Sequence, residues 1–359
     1  MAAVSVFLTG FPGFLGSALV DRLLDRTDTV HCLVQPKYRD AAASRARELA
    51  GGEWENSIVV HEGDITDPDL GLDASARAAL EREVEELFHL AAVYDLAVDR
   101  AVGEAVNVEG TRNVLAFAAD CDLRRFQYVS TCYVSGRHDG VFGEGDLDVG
   151  QSFNNHYEAT KFEAEVLVQE RMAEGLPATV YRPAITVGDS ETGETQKYDG
   201  PYFVLRWLRR CPGVAPLPVF PGARSTELNV VPRNFVVDAV DYLAEHGDAG
   251  AVYQLCDPNP PTIPELTRLL AAATDTRVLP IPSTPGLSKR LLGTGLGRSL
   301  TGIPPETLDY FTHPTRYVNP NARRALAGSG AACPAFESYV ETLAAYVDAN
   351  PDISSDAMV

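Results

Sequence analysis

Tyr157 and Lys161 are the residues of this sequence whose types and spacing most directly suggest chemistry. Both lie in residues 152 to 171, a stretch whose pattern predicts a helix. Positions i and i+4 share one face of a helix, so the lysine ammonium can lie near the tyrosine phenol. A nearby cation lowers the pKa of a phenol from its ordinary value of about 10, which makes the pair a candidate proton relay. The alternative is a solvated helix face. The candidate N-caps of the helix are Ser152, Asn154 and Asn155.

The composition indicates a globular chain and argues against several kinds of partner. With 359 residues, of which 45% are hydrophobic, the chain suits one large α/β unit or two modest domains. A formal charge of −20 disfavours nucleic acid and anionic membrane surfaces, since both would be repelled. The acidic residues are spread along the chain, so the charge is equally consistent with ordinary solubility.

Neither a membrane segment nor a metal site is predicted. No apolar run approaches the ~20 residues that span a bilayer, and the first residues carry no secretory pattern. We therefore expect a cytoplasmic protein without a membrane span. The six cysteines lie far apart without C-x-x-C spacing, which argues against a zinc site and a disulfide framework.

A glycine-rich loop follows the first predicted strand. Residues 4 to 8 are mostly apolar, and a helical pattern covers residues 17 to 26. Between them, Gly10 permits a tight turn, Gly13 lets the backbone approach a pyrophosphate, and Gly16 allows the helix to pack closely on the strand. The helix N-terminus adds N–H donors and a positive dipole end. This order of strand, loop and helix predicts a dinucleotide site.

The end of the second predicted strand, residues 29 to 34, bears on the choice between NAD and NADP. An acidic residue here would bind the ribose 2′-hydroxyl of NAD, but this sequence has Gln35, followed by Lys37 and Arg39. Cationic side chains suit a 2′-phosphate, so we favour NADP(H) and keep NAD(H) as the alternative. A solvated basic turn would also explain these cations. Further candidate cations are Arg45 and Arg47.

Polar and small residues follow the third and fourth predicted strands. The third strand leads into Asp64 and Ile65, where Asp64 could accept from the adenine amine or cap the following turn. The fourth strand ends in residues that let backbone pass close to a cofactor. These residues are Leu90, Ala91 and Ala92. Asn107, in a helix predicted over residues 102 to 119, would point at the fourth strand or at the active-site helix.

The fifth predicted strand, residues 126 to 130, ends in Ser130 and Thr131 at the edge where open α/β sheets bind ligands. A hydroxyl at this edge can meet a substrate oxygen. A sixth strand, residues 178 to 182, is closed by Pro183. Strands and helices alternate up to this point, which predicts an α/β fold with a Rossmann-type doubly wound parallel sheet and a smaller C-terminal substrate-binding region.

The chain changes character after residue 188. Glycine, proline and polar residues surround one amphipathic helix at residues 202 to 210, and Pro280 to Pro285 is expected to be loop. Aromatic residues in this region suggest a lipid-like substrate and are equally explained as core: Tyr198, Tyr202, Phe203, Trp207 and Phe220. The expected division is an NADP-binding domain at 1–188, to which 228–256 returns, a substrate-binding or lid region at 189–227 and 257–350, and a disordered tail at 351–359.

Taken in order, these motifs resemble those of the extended short-chain dehydrogenase/reductase superfamily. The resemblance covers about residues 4 to 260. It rests on the glycine loop, Asp64-Ile65, Asn107-x-x-Gly110-Thr111, Ser130-Thr131, Tyr157-x-x-x-Lys161 and Arg182-Pro183. The glycine loop, the strand end before Lys37 and the stretch around Thr131 look most like the fatty acyl-CoA reductase and thioester-reductase branch. That branch usually has arginine where Gln35 stands.

The resemblance implies roles for particular residues. Tyr157 would be the general acid/base, and Lys161 would lower its pKa and hold the nicotinamide ribose. Thr131 would hydrogen-bond the reacting carbonyl oxygen, with Ser130 the neighbour most easily confused with it, and Asn107 would help to order a proton path. The implied cofactor-binding residues are Thr9, Gly10, Phe11, Pro12, Gly13, Phe14, Leu15, Gly16, Gln35, Lys37, Arg39, Asp64, Ile65, Leu90, Ala91, Ala92, Tyr157, Lys161, Pro183 and Ile185.

Three functions remain open. The first is NADPH-dependent reduction of a small-molecule carbonyl or acyl thioester, in which hydroxyl donors stabilise the developing alkoxide. The second is an NAD-dependent nucleotide-sugar epimerase or dehydratase, or a hydroxysteroid-type dehydrogenase, which the non-acidic Gln35 disfavours. The third is a non-catalytic NADP-sensing protein, which the intact Tyr157 and Lys161 disfavour. A homodimer is compatible with each of them.

Overall fold

The computed structural model of the chain describes residues 4–295, 297, 301 and 303–354. The strands are β1 (Ser5–Thr9), β2 (Thr29–Val34), β3 (Ile58–Glu62), β4 (Glu86–His89), β5 (Arg125–Val129), β6 (Gly140–Phe142), β7 (Ala178–Pro183), β8 (Ile185–Val187), β9 (Val214–Val219), β10 (Val230–Pro232), β11 (Val252–Leu255), β12 (Arg277–Pro282) and β13 (Thr315–Tyr317). The α-helices are α1 (Phe14–Leu23), α2 (Arg39–Ala50), α3 (Ala74–Glu83), α4 (Arg100–Gly103), α5 (Gly110–Asp120), α6 (His156–Ala173), α7 (Pro201–Arg210), α8 (Arg233–His246), α9 (Ile263–Ala273), α10 (Pro285–Leu292), α11 (Pro320–Ala325) and α12 (Val340–Ala349).

Seven parallel strands form the central sheet, in the order β11-β7-β5-β4-β1-β2-β3. Parallel neighbours require crossover connections, which here contain the helices between the strands. The carboxyl ends of all seven strands therefore meet at one edge of the sheet. This arrangement confirms the predicted Rossmann-type doubly wound α/β fold.

Alternate residues of β1 build the cores on the two faces of the sheet. The side chains of Val6 and Leu8 join one buried cluster with residues of α1, α2 and α8. The side chain of Phe7 joins the other cluster, with residues of α3, α5 and α6. Because the strand is covered on both faces, its run of apolar residues is nearly continuous, as expected for a central parallel strand.

A further buried cluster lies in the C-terminal region and includes residues of α7, α9 and α12. The aromatic residues noted in the sequence belong mainly to this interior: Tyr198, Tyr202 and Phe220 are in the cluster, and Phe203 is also buried. The Trp207 indole packs against it and donates to the Pro216 carbonyl oxygen at 2.9 Å. These side chains therefore act as core, and the domain boundaries drawn from the sequence stay a prediction.

The sequence-based prediction was wrong in part of the C-terminal region. Pro280 and Pro282 belong to β12, which pairs in parallel with β9, and Pro285 begins α10 rather than continuing a loop. Proline lacks the N–H that a central strand needs, but it is tolerated in a strand that has a partner on one side only. The pairs β8–β10 and β6–β13 were also not predicted.

Helix boundaries differ from prediction at two places near the glycine loop and Asn107. Helix α1 begins at Phe14, three residues earlier than expected. The predicted helix at 102–119 is divided by a π-helical segment, Glu104–Glu109. Of the predicted tail, residues 355–359 lie outside the described residues, whereas the Ser354 carbonyl oxygen accepts the Tyr198 amide. None of the described helices is long and apolar enough to cross a bilayer, and the homodimer stays a prediction.

A buried ion pair fastens α6 to the central sheet. Glu165 of α6 and Arg182 of β7 are both fully buried, and two guanidinium nitrogens donate to the carboxylate at 2.6 and 3.0 Å. Ser130, at the end of β5, donates to the second carboxylate oxygen at 2.5 Å. Two charges removed from water remain stable only when they are paired and hydrogen-bonded, so this contact fixes where α6 lies on the sheet.

We predict that Glu165→Leu lowers the free energy of unfolding by roughly 3–5 kcal/mol, because the Arg182 charge would remain buried without its partner. Urea unfolding measures the change. The matched control is Glu174→Ala near the end of the same helix, which removes a solvent-exposed pair with Arg171 and should cost less than about 1 kcal/mol. Equal effects of the two substitutions would contradict the structural role of the buried pair.

Candidate active site

The glycine loop brings backbone donors to the carboxyl edge of the sheet. Gly10 has a φ of +102°, and a Cβ atom there would lie 3.0 Å from the Ala91 nitrogen. A Cβ atom at Gly16 would lie 2.3 Å from the Gly10 carbonyl oxygen, so both positions require glycine. Gly13 precedes α1, whose N-terminus has no side-chain cap. Such a terminus offers N–H donors to an anion, which fits the pyrophosphate of a dinucleotide.

A cavity of about 400 Å³ connects this loop with the candidate catalytic residues. Thr131, Tyr157 and Lys161 line it together with the strand ends and residues of the C-terminal region. Every residue implied to bind the cofactor lines the same cavity except Lys37 and Arg39. The structure thus brings together residues that are far apart in the sequence, while their individual roles stay predictions.

Tyr157 is placed in the first turn of α6 by the cap of that helix. The cap is Asn155, one of the three candidates, whose side chain accepts the Glu158 amide at 3.0 Å. Burial of the phenol raises its pKa, and a hydrogen bond with Thr131 opposes this with a smaller effect. The phenol of Tyr157 therefore keeps its proton at neutral pH, as a general acid must.

The position of Lys161 differs from the simple expectation drawn from its spacing. Its ammonium donates to the Tyr128 hydroxyl and to the Val129 carbonyl oxygen, both at 2.9 Å, and lies 4.4 Å from the centre of the Tyr128 ring. Burial lowers the pKa of Lys161 to about 7, against the opposing effect of Glu165. The expected lowering of the Tyr157 pKa is thus outweighed, because both groups lose water together.

Thr131, rather than Ser130, presents its hydroxyl beside Tyr157. Ser130 is occupied by the carboxylate of Glu165, as described above. The Thr131 hydroxyl accepts the Tyr133 amide at 3.2 Å and lies 3.4 Å from the Pro183 carbonyl oxygen, in the cavity wall. The geometry therefore supports Thr131 as the hydroxyl that meets a substrate oxygen.

Asn107 connects two elements of the site without lining the cavity. Its side-chain oxygen accepts the Val93 amide at 2.9 Å, and its nitrogen donates to the Thr160 hydroxyl at 3.0 Å. The contacts thus reach both the segment after β4 and helix α6, the two directions considered from sequence. Its π-helical segment, a feature often found at functional sites, had no recognisable signal in the sequence. Asn107 is best described as a positioning residue.

At the expected adenosine end, the polar residues interact mainly with each other. Gln35 donates to Asp64 at 2.7 Å, and the other carboxylate oxygen of Asp64 accepts from the amide and hydroxyl of Thr66. The turn-capping alternative for Asp64 is thus realised. Arg39 pairs with Glu62 at 2.6 Å, outside the cavity wall.

Neither of the two further basic candidates lines the cavity. Arg45 pairs with Glu48 at 2.9 Å, and the Arg47 guanidinium lies 5.8 Å from the centre of the Trp54 ring. Tyr38 does line the cavity, with the Lys37 ammonium 5.0 Å from the centre of its ring. Tyr38 was missed because an aromatic residue in a helical turn carries no distinctive pattern.

A strap formed by residues 195–200 closes one side of the cavity and was also missed. Gln196 donates to the Pro12 carbonyl oxygen of the glycine loop at 3.4 Å. Lys197 donates to the Tyr94 carbonyl oxygen at 3.1 Å, and the Tyr94 ring packs edge-on against Tyr157 with centroids 4.9 Å apart. Lys197 also lies 3.6 Å from the carboxylate of Asp199, whose pKa burial raises to about 6. Such long-range contacts leave no local motif.

The chain matches the model of the Male sterility protein family over residues 8–240 and belongs to this family. Its enzymes, like the relatives of this chain, are NAD(P)-dependent reductases of the extended short-chain dehydrogenase/reductase type. This confirms the class of enzyme, the nicotinamide cofactor and the thioester-reductase branch indicated by the sequence motifs.

Three comparisons illustrate the range of similar proteins. A linear gramicidin synthase from Brevibacillus parabrevis is 29% identical over 269 residues, which cover 71% of this chain but only 5% of that protein. Low-salt glycan biosynthesis protein Agl12 from Haloferax volcanii is 32% identical over 264 residues, covering 70% of this chain and 76% of that protein. The solved terminal R domain from the myxalamid PKS-NRPS biosynthetic pathway is 28% identical, with a TM-score of 0.82 over 98% of this chain and 92% of that chain.

The depressed pKa of Lys161 predicts a pH-dependent effect of Lys161→Met on the stability of the cofactor-free protein. Above a pH of about 7 the folded protein loses this proton while the unfolded chain keeps it, so the stability contribution of Lys161 rises with pH. Below that pH the protein bears the full cost of burying the ammonium. The variant should therefore gain on the order of 2 kcal/mol more, relative to the parent, at pH 6 than at pH 9.

Chemical unfolding at the two pH values measures this difference. Lys289→Met is the matched control, since that ammonium is partly exposed and pairs with Asp309, and its effect should be the same at both pH values. A Lys161→Met effect that is independent of pH would show that Lys161 is not buried as a depressed cation.

Proposed function

We propose that this protein reduces a carbonyl or acyl thioester with NADPH, with Tyr157 as the general acid. The observation that carries the proposal is the convergence of Thr131, Tyr157 and Lys161 on the cavity that also contains the glycine loop. Similarity to a terminal R domain over nearly the whole chain supports a thioester as the substrate. We also propose a cytoplasmic location.

Each of the three residues has a distinct task in this reaction. A bound nicotinamide would supply the hydride. Thr131 would donate its hydroxyl proton in a hydrogen bond to the substrate carbonyl oxygen, and Tyr157 would transfer its proton to that oxygen as negative charge develops. Lys161 would hold the ribose hydroxyls from the floor of the site, where Tyr128 and Val129 orient its ammonium.

The lining of the cavity favours a neutral acyl substrate over a sugar nucleotide. Among the described residues, its basic side chains are Lys161 and Lys197, and Lys197 is already beside Asp199. A nucleotide sugar would bring a second diphosphate in addition to that of the cofactor, and such groups are usually held by several cations. The relative from Haloferax volcanii, named for glycan biosynthesis, makes the sugar reaction the second candidate to be tested.

The preference for NADPH rests on the cations that follow β2. Arg39 and its partner Glu62 are both largely exposed, and an exposed pair contributes at most about 1 kcal/mol, so Arg39 can exchange Glu62 for a phosphate at little cost. Lys37 lies against Tyr38, which lines the cavity. Both cations are thus within one turn of the cavity wall, and Gln35 adds no negative charge to repel a 2′-phosphate.

The reductase proposal predicts net consumption of NADPH in proportion to product. One NADPH disappears per alcohol formed from a carbonyl, and two disappear when a thioester is taken to the alcohol. An acyl-CoA panel and a UDP-sugar panel, followed by absorbance at 340 nm and product mass spectrometry, test this. Tyr157→Phe should reduce turnover by roughly 10²–10⁴-fold with NADPH binding retained. Tyr242→Phe, a remote phenol on α8, is the matched control. Conversion of a UDP-sugar without loss of NADPH would refute the proposal.

We predict that the protein binds NADPH more tightly than NADH because of Lys37 and Arg39. Lys37→Ala and Arg39→Ala should each weaken NADPH binding by roughly tenfold, the size of one charge-assisted contact, and leave NADH binding unchanged. Titration followed by nicotinamide fluorescence measures both. Arg112→Ala, which removes an exposed pair with Glu109, is the matched control. Equal affinities of the parent protein for the two cofactors would remove the 2′-phosphate assignment.

A further inference from the structure

The hydroxyl of Thr307 is buried in the cavity wall and has no hydrogen-bond partner among the residues that the structure describes. The residue is 5% exposed and lines the same cavity as Tyr157. Buried polar atoms are nearly always hydrogen-bonded, because an unpaired one loses its contacts with water without replacement. A ligand atom in the cavity would supply the contact that this hydroxyl lacks.

The local backbone offered this hydroxyl a partner that it does not use. Thr307 lies in a 3₁₀-helical segment, Pro305–Thr312, and its amide reaches the Pro304 carbonyl oxygen at 3.1 Å. Threonine hydroxyls in helices commonly bond to the carbonyl three or four residues earlier. Thr312, in the same segment, does so with Asp309 at 3.4 Å. The Thr307 hydroxyl is instead directed away from its own helix.

The segment that carries Thr307 is held against the catalytic helix. Residues i and i+3 of a 3₁₀-helix lie above one another, which places Tyr310 on the same face, about 6 Å along the axis. The Tyr310 hydroxyl donates to Glu158 at 2.8 Å and accepts from Asn155 at 3.0 Å. Its ring packs edge-on against Tyr133 at 5.0 Å. Thr307 is therefore fixed one helical turn from a residue that contacts the start of α6.

The cavity wall around Thr307 is apolar and uncharged. Val204, Leu228 and Leu266 line the cavity with 3–6% exposure, and Phe311 adds an aromatic wall. An aliphatic chain would gain free energy by burial against these side chains, whereas a charged group would be costly there. A threonine hydroxyl can both donate and accept, so it suits a neutral polar atom on such a chain.

On the basis of the proposed reductase function, we propose that this part of the cavity binds the acyl chain of the thioester. The Thr307 hydroxyl would hydrogen-bond a neutral oxygen on that chain, such as a hydroxyl or oxo group beyond the reacting carbon. A pantetheine arm has similar chemistry, but it must extend to solvent, whereas the walls here are buried. Thr307 is then a residue that determines specificity among acyl groups.

The experiment compares matched pairs of acyl-pantetheine thioesters of equal length, with and without a hydroxyl or oxo group on the acyl chain. The parent protein should prefer the oxygenated member of at least one pair in kcat/KM by roughly two- to tenfold, the size of one neutral hydrogen bond. Thr307→Val preserves the shape and should abolish that preference. Thr312→Val, which removes a partnered hydroxyl in the same segment, should leave it intact.

Two further measurements separate this proposal from its alternatives. Thermal unfolding should show that Thr307→Val is at least as stable as the parent, because an unpaired buried hydroxyl has been replaced by a methyl group. Calorimetric binding of non-reducible thioether analogues should show the same loss of preference. That result without any thioester turnover would refute the reductase function and leave the acyl subsite standing.

Two outcomes would overturn the subsite. The first is an unchanged preference in Thr307→Val across all pairs. The second is a loss confined to the choice between pantetheine and truncated N-acetylcysteamine thioesters of the same acyl group, which would place Thr307 against the pantetheine arm instead.

Discussion

The position of α6 depends on the buried contact between Glu165 and Arg182. Both charges are fully removed from water, and they can remain there only while each neutralises the other. Since Lys161 and Tyr157 precede Glu165 by one and two helical turns, the contact also fixes where the phenol and ammonium meet the carboxyl edge of the sheet. Ser130 joins the same carboxylate, so the adjacent Thr131 is left to present its hydroxyl to the cavity.

Burial then determines the proton chemistry more strongly than sequence spacing does. The Tyr157 phenol has a raised pKa and the Lys161 ammonium a lowered one, in both cases chiefly because the charged form has lost water. The site is therefore arranged to hold a neutral phenol beside an ammonium of lowered pKa, which suits the donation of a proton. An i,i+4 rule contains no information on burial, and this is why the sequence alone led to the opposite direction for the phenol.

The sequence predicted those parts of the fold and site that depend on short-range physics. The turn at Gly10, the strand and helix alternation and the cap at Asn155 are local, and all of them are found in the structure. The strap at residues 195–200, the pairing of β9 with β12 and the cavity position of Thr307 depend on contacts between distant segments. Prolines in both of those strands also conceal the pattern by which strands are recognised.

Substrate choice must therefore come from the C-terminal region rather than from the shared nucleotide-binding frame. A fold and a tyrosine–lysine pair are compatible with several reactions, and similar chains carry names as different as gramicidin synthase and glycan biosynthesis protein. What distinguishes this cavity is its wall of Val204, Leu228, Leu266 and Phe311 around the unpaired hydroxyl of Thr307. Such a wall rewards the burial of an aliphatic chain and penalises added charge, so the same frame becomes selective for a neutral acyl group.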